Sequence, residues 1–344
     1  MLRIGIIGCG KIAQVRHIPE YAANSNCELA GFYDLALSRA EEMAQKYGGK
    51  AYTSAEELLA DPSIDAVSVC VANFAHCEMT VKALESGKHV LCEKPMAISQ
   101  EECLQMVAAA EKSGKRLLIG QNQRLTKAHQ MAKQMIQDGV LGKVITFRTT
   151  FGHGGPETWG IVPGKDTWFF DKKRAVMGAM ADLGIHKTDL IRYLLGEDVV
   201  RTTAHLCTLD KRGVDDELIS VDDNAICIYE MEGGTVGTMT VSWTYYGAED
   251  NSTILYGQKG ILRIYDDPNH TMVLITADGE TKYYDVETIQ TNDNQTASGV
   301  IDEFVDAVLE NRASVLDAAG VLNSMQAVFA SIESGNQGHP VDLR

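Results

Sequence analysis

Short apolar runs alternate with amphipathic stretches through the first third of the chain. Residues 2–7, 28–33, 66–71, 89–92 and 116–119 are mainly apolar and of strand length. Helical patterns separate them, from Ile12 onward and over 37–47, 75–86 and 100–113. In 37–47, Ala40, Met43, Ala44 and Tyr47 fall on one face, as a helix packed on a sheet requires. Ser54 followed by Glu57 fits a capping box and predicts a short helix ending near Ala60. Strand, helix, strand with short links predicts a doubly wound parallel sheet. Strands that stay apolar along their length suit a sheet covered on both faces.

The pattern changes after about Arg124. It predicts a helix over 127–138, a strand over 144–151, a loop rich in glycine, proline and aromatics over 152–168, and a helix over 180–195. A series of strands follows, over 202–209, 224–231, 235–243, 253–256, 261–265, 272–276 and 281–286. Gly233-Gly234 and Asp278-Gly279 mark hairpin turns, where glycine supplies the positive φ. Such a meander implies a mostly antiparallel sheet. Two amphipathic helices, 298–310 and 314–332, complete the pattern. The fold class read from this is α/β: an N-terminal doubly wound parallel sheet over 1–123, then an α+β domain with a large open, mostly antiparallel sheet over 124–344. No Pro/Ser-rich linker separates the halves, so they are expected to pack closely with the site between them.

At 344 residues the chain is long enough for two such domains. Its 45% hydrophobic and 23% charged residues are ordinary for a soluble globular protein. A net charge of −16 argues against nucleic acid or an anionic membrane as a partner, since both need clustered cations. No apolar stretch has the length of a membrane span, and the N-terminus lacks the apolar core and cleavage site of a signal peptide. The eight cysteines form no CxxC pair, and several sit in apolar runs. They read as small buried hydrophobes of a reducing cytoplasm, not as disulfides or metal ligands. No metal is expected.

The candidate chemistry starts at Gly8-Cys9-Gly10-Lys11-Ile12-Ala13, a GxGxxA run directly after the first strand and at a helix start. The first glycine permits a tight turn, the second lets a pyrophosphate approach the backbone, and Ala13 allows close helix–strand contact. Asp34 ends the second strand, where a carboxylate binds the adenosine ribose and repels a 2′-phosphate. That favours NAD over NADP, although Ser38 and Arg39 lie near enough to receive a 2′-phosphate. Lys94, in Glu93-Lys94-Pro95, follows the 89–92 strand at the carboxyl edge of the sheet, where ligands bind. Asp182 and His186 are four residues apart and share one helix face. Oxidising a secondary alcohol needs a proton acceptor on the hydroxyl, and imidazole suits that role near neutrality. An ammonium near the same oxygen stabilises alkoxide charge, or shares the proton if its pKa is lowered. Asp182 either binds an adjacent hydroxyl or orients the imidazole.

Together, the glycine run, Glu93-Lys94-Pro95 and Gly178-Ala179-Met180-Ala181-Asp182-Leu183-Gly184-Ile185-His186 resemble the glucose–fructose oxidoreductase / inositol dehydrogenase / rhizopine catabolism (Gfo/Idh/MocA) family. The resemblance runs over essentially the whole chain. It implies a Rossmann domain joined to an α+β domain whose sheet mediates homodimers or homotetramers. It also implies hydride transfer between a nicotinamide and a secondary alcohol of a sugar, sugar derivative or cyclitol, with Lys94, Asp182 and His186 as the catalytic trio. Asn73, His76, Glu93 and Gln121 are implied near the cofactor, and Arg124 beside the substrate. The family's usual Thr-Pro-Asn is Val71-Ala72-Asn73 here, which leaves contacts on the nicotinamide side open. Arg124 alternatively anchors the helix after it, and Asp189 is either a support for His186 or a surface acid. The 152–168 loop, with His153, Glu157, Trp159, Lys165, Asp166 and Trp168, is where substrate choice is expected to lie, because sugar rings favour aromatic faces. Two other functions share these motifs: glycoside processing by transient oxidation with retained NAD, and a non-enzymatic NAD(P) sensor.

Overall fold

The computed structural model describes residues 1–287 and 297–343. They divide into two compact units, 1–122 with 297–322, and 123–287 with 323–343. The first unit therefore combines the start of the chain with a later segment. The last helix, Ala318–Gln337, begins in one unit and ends in the other.

The first unit is a six-stranded, wholly parallel sheet. In chain order its strands are β1 (Leu2–Ile7), β2 (Cys27–Tyr33), β3 (Lys50–Ala51), β4 (Ala66–Val69), β5 (His89–Cys92) and β6 (Leu117–Ile119). In space they lie β3-β2-β1-β4-β5-β6, so the winding reverses between β1 and β4, where such sheets bind nucleotides at their carboxyl ends. The two-residue β3 is too short to leave a period in the sequence. β4 stops at Val69, two residues earlier than the apolar run suggests. The cap at Ser54 forms: its side chain accepts from Glu57 N at 3.1 Å. Glu57 reaches back to the Thr53 hydroxyl at 2.7 Å, one residue beyond the usual capping-box partner.

The helix after the glycine run opens with a π turn, Ala13–His17, in which Ile18 N bonds to Ala13 O. Pro19 accounts for it. Proline offers no N–H to the carbonyl four residues back and its ring crowds that carbonyl, so a wider turn relieves both problems. From the later chain, helix Val300–Leu309 is tied down beside it. The Glu20 carboxylate accepts from both the amide and the hydroxyl of Ser298, each at 2.9 Å.

The second unit is built on nine strands: β7 (Val144–Gly152), β8 (Val199–Cys207), β9 (Asn224–Met231), β10 (Val236–Ser242), β11 (Thr253–Gly257), β12 (Gly260–Ile264), β13 (Met272–Thr276), β14 (Thr281–Tyr284) and β15 (Val341–Asp342). Their order is β14-β13-β12-β11-β7-β10-β9-β8-β15. The sheet is mostly antiparallel as expected, but β7 inserts between β11 and β10 and pairs parallel to β10. Burial alternates along β9. Ala225, Cys227, Tyr229 and Met231 face the core, while Ile226, Ile228 and Glu230 are exposed. On the covered face Tyr229 OH bonds Thr188 at 2.9 Å and Ser331 at 3.3 Å, on helices Ile185–Leu195 and Ala318–Gln337. Among the described residues no helix is long and apolar enough to cross a membrane.

Candidate active site

In the first unit the glycine run forms the turn that its spacing requires. Gly8 has φ +93°, and a Cβ there would lie 2.5 Å from Cys70 O, so no other residue fits without displacing backbone. At Gly10 a Cβ would meet nothing within 4 Å: the turn is open where a pyrophosphate approaches. Lys11 and Ile12 follow half-buried at the helix start, and Ala13 is fully buried against the sheet. Asp34 comes back to this turn, accepting from Cys9 N and from Ala36 N, each at 2.8 Å. A carboxylate has about four acceptor positions, so capacity remains for ribose hydroxyls. Arg39 lies 3.4 Å from Asp34 Oδ1 and partly balances its charge.

At the carboxyl end of β5, Lys94 is followed by a cis bond to Pro95. Two of its neighbours, His76 and Glu93, have partners within the protein. His76 was expected at the cofactor, but both its ring nitrogens face backbone carbonyls, Pro95 O at 2.7 Å and Val71 O at 3.1 Å. It stands between the Lys94 turn and the end of the β4 segment, donating to one of these carbonyls in its neutral form, which burial favours by lowering its pKa. Glu93, also expected at the cofactor, points inward. Its Oε1 lies 2.8 Å from His17 Nε2 and 3.3 Å from Arg16. Burial alone raises a carboxyl pKa, yet the His17 hydrogen bond and the charges of Arg16, His17 and Lys94 more than reverse this and hold Glu93 far below the usual range. Both residues thus have partners beside the Lys94 turn. Gln121, beyond β6, is 1% exposed, and its Nε2 is buried with no hydrogen-bond partner among the described residues. Asn73 is buried in the turn Asn73–Ala75 after β4. The open Gly10 and the orphaned Gln121 amide are what a dinucleotide would fill, so the residues fit that group.

In the second unit the glycine-rich segment around Asp182 starts under constraint. A Cβ on Gly178 would lie 1.9 Å from Asp222 O, so the two backbones touch. The Asp222 carboxylate accepts from Gly178 N at 2.9 Å and Met180 N at 2.7 Å, capping the helix start. Burial raises its pKa to about 6 despite these bonds. The first turn, Met180–Gly184, is again π-helical, and the α-helix proper runs Ile185–Leu195. Asp182 and His186, on successive turns, are 5% and 6% exposed. Trp243 Nε1 donates to Asp182 Oδ2 at 3.1 Å, and the Phe151 ring packs 5.8 Å from His186. Trp168 stacks on Phe169 at 3.9 Å, and Phe169 meets Trp243 edge-on at 6.3 Å. An unbroken aromatic series thus leads from the 152–168 loop to Asp182. Sequence reading missed Trp243 and Asp222. Neither carries a spacing signal, because each reaches the site from a distant strand end.

Asp189 gives a correction. Asp189 is 1% exposed, not a surface acid, and Arg124 grips it with two bonds of 2.7 and 2.6 Å. Ser324 adds a third contact to Asp189 at 2.7 Å. Arg124 is therefore tied to the Ile185–Leu195 helix. Next to His186, Lys187 is fully buried. Among the described residues its ammonium has a single acceptor, Asn251 O at 2.9 Å, and burial lowers its pKa to about 7. No cluster of three or more metal-type ligands occurs among the described residues.

Comparison with known proteins places these features in one group. Residues 2–121 match the profile of an oxidoreductase family with an NAD-binding Rossmann fold, and 129–263 match the GFO/IDH/MocA C-terminal domain. The chain is 34% identical over 203 residues to D-glucoside 3-dehydrogenase of Escherichia coli, covering 58% of this chain and 56% of that one. It therefore spans little more than half of that relative. It is 30% identical over 291 residues to 1,5-anhydro-D-fructose reductase of Ensifer adhaerens, covering 82% of each. Levoglucosan dehydrogenase in complex with NADH and levoglucosan superposes with a TM-score of 0.87 at 23% identity over 99% of both chains, a likeness of fold. A parallel sheet in 3-2-1-4-5-6 order, an open glycine turn, and the paired matches across both halves make this chain a member of the Gfo/Idh/MocA family of NAD-binding oxidoreductases.

Proposed function

We propose that the protein is an NAD(P)-dependent dehydrogenase that moves a hydride between a nicotinamide and a secondary alcohol of a sugar, sugar derivative or cyclitol. The observation that carries this reading is the Asp182–His186 helix. Two polar side chains lie nearly buried on successive turns, with the carboxylate held by Trp243 and the imidazole against Phe151. Bound nicotinamide supplies the hydride acceptor or donor. His186 takes the hydroxyl proton as general base, and Lys94 stabilises the developing alkoxide. Asp182, its orientation set by the indole N–H, holds a neighbouring hydroxyl. Trp168 and the aromatics behind it supply the flat apolar surface that a sugar ring favours. The dinucleotide is held by the Gly8–Ala13 turn and Asp34, with Asn73 and Gln121 toward the nicotinamide. Relatives named for glucosides, anhydrofructose and levoglucosan support a carbohydrate substrate.

Two further readings belong to this proposal. Eight free cysteines, seven of them buried, suit a reducing cytoplasm. Ile226, Ile228 and Val236 on the exposed face of the nine-stranded sheet suit a homodimer or homotetramer. Light scattering on Ile226→Lys/Ile228→Lys, compared with the unaltered protein, tests the assembly.

The activity test is a panel of sugars, inositols and glycosides with NAD and NADP, followed by reduced-nicotinamide absorbance. Lys94→Ala and His186→Ala are expected to bind cofactor normally and lose turnover by about 100-fold or more. Near-normal rates in either variant overturn the assigned roles. Product formation with no net nicotinamide change would favour transient oxidation.

A further inference from the structure

The π turn Ala13–His17 brings two consecutive polar residues inside, Arg16 at 3% and His17 at 0% exposure. Both meet the Glu93 carboxylate. The far side of the His17 ring continues the network: Nδ1 lies 3.1 Å from Ser68 Oγ, which lies 2.8 Å from Tyr21 OH. Ser68, His17 and Glu93 thus stand in the order of a nucleophile, base and acid. They are not a hydrolytic site, because Ser68 and Tyr21 are fully buried and no substrate reaches them. What the network does reach is the Lys94 turn. Glu93 Oε1 is taken by His17, and Glu93 Oε2 accepts from Lys94 N at 3.1 Å. Gly120 closes the other side: a Cβ there would lie 3.2 Å from Glu93 Oε1.

We propose that His17 is a positioning residue for Lys94: by fixing the Glu93 carboxylate it sets the amide, and hence the ammonium direction, of the next residue. The inference rests on Lys94 acting at the substrate as proposed above. The Nε2 proton points at the Glu93 carboxylate, while Nδ1 meets the Ser68 hydroxyl, which in turn meets that of Tyr21. An apolar residue at position 17 would leave Arg16 as the remaining buried partner of Glu93 from this helix, at the longer distance of 3.3 Å. The carboxylate would then turn toward the guanidinium and release the Lys94 amide.

The experiment compares His17→Leu, His17→Gln and Ser68→Ala with the unaltered protein. Glutamine keeps an N–H where Nε2 stands. Ser68→Ala disturbs the same buried network without touching Glu93. Hydrogen exchange read by mass spectrometry on the peptide containing Lys94 reports the turn without requiring turnover. His17→Leu is expected to speed exchange there by about tenfold. It should lower kcat by a similar factor and change KM and NADH affinity by less than about threefold. His17→Gln and Ser68→Ala should stay near the unaltered values in both measurements. Unchanged exchange in His17→Leu, faster exchange with unchanged kcat, or equal effects in Ser68→Ala would each overturn the inference. If the unaltered protein turns over nothing in the panel, the dehydrogenase reading fails, while the exchange comparison still decides whether His17 holds the turn.

Discussion

Lys187 offers a quantitative check on the electrostatics beside the proposed base. Its ammonium is fully buried, has one acceptor among the described residues, Asn251 O, and lies 5.9 Å from the Phe151 ring. Burial drives its pKa down from 10.5 to about 7, against the pull of Asp250 and Glu249. At about 1.4 kcal/mol per pKa unit, the difference corresponds to roughly 5 kcal/mol of stability withheld while the group is charged. The folded pKa lies below the unfolded one, so between them the unfolded chain holds more protons and stability rises with pH. The penalty is complete below pH 7 and relieved as pH climbs toward 10.5. Lys187→Met removes the charge and keeps the length of the side chain. It also leaves Asn251 O short of one hydrogen bond, a loss of about 1–2 kcal/mol. Urea unfolding of both proteins from pH 6 to pH 10 isolates the term. The variant is expected to be the more stable at pH 6 and to lose that advantage by pH 10, a swing of several kcal/mol. A difference that stays flat within about 1 kcal/mol across this range would refute the reasoning, because it would mean the ammonium keeps its solvation inside the fold.

Other outcomes follow from the same contacts. Trp243→Phe keeps the ring and removes the N–H on Asp182; kcat should fall about tenfold, by the scale of one hydrogen bond to a charged group, with little change in melting temperature. Asp189→Asn breaks a buried two-pronged ion pair with Arg124 and should cost about 3–5 kcal/mol in denaturant titration, since it leaves a guanidinium uncompensated. Gly178→Ala places a methyl 1.9 Å from Asp222 O and should abolish soluble expression, or shift the melting temperature sharply downward.

The sequence by itself determined the architecture. Strand-length apolar runs alternating with amphipathic helices specified the parallel sheet, because periodicity and burial are local consequences of which residues are apolar. The glycine run specified its own turn, since at Gly8 only a residue without a Cβ fits against Cys70. The second sheet's hairpins were legible for a similar reason, in turn residues that need positive φ. Beyond these, only tertiary structure decided. The parallel pairing of β7 with β10 joins segments far apart in the chain, and no local pattern encodes which strand accepts an insertion. That Glu93 and His76 have buried protein partners was not legible, because a carboxylate or an imidazole at a strand end fits a ligand and a buried partner equally well. The choice was made by Arg16 and His17 arriving on a π turn, and by the carbonyls of Pro95 and Val71. Arg124 was claimed by Asp189 in the same way, and Asp182 by an indole from the end of β10. Chemistry can be named from residue types at a spacing; which groups solvate one another depends on distances between segments that meet only when the chain has folded.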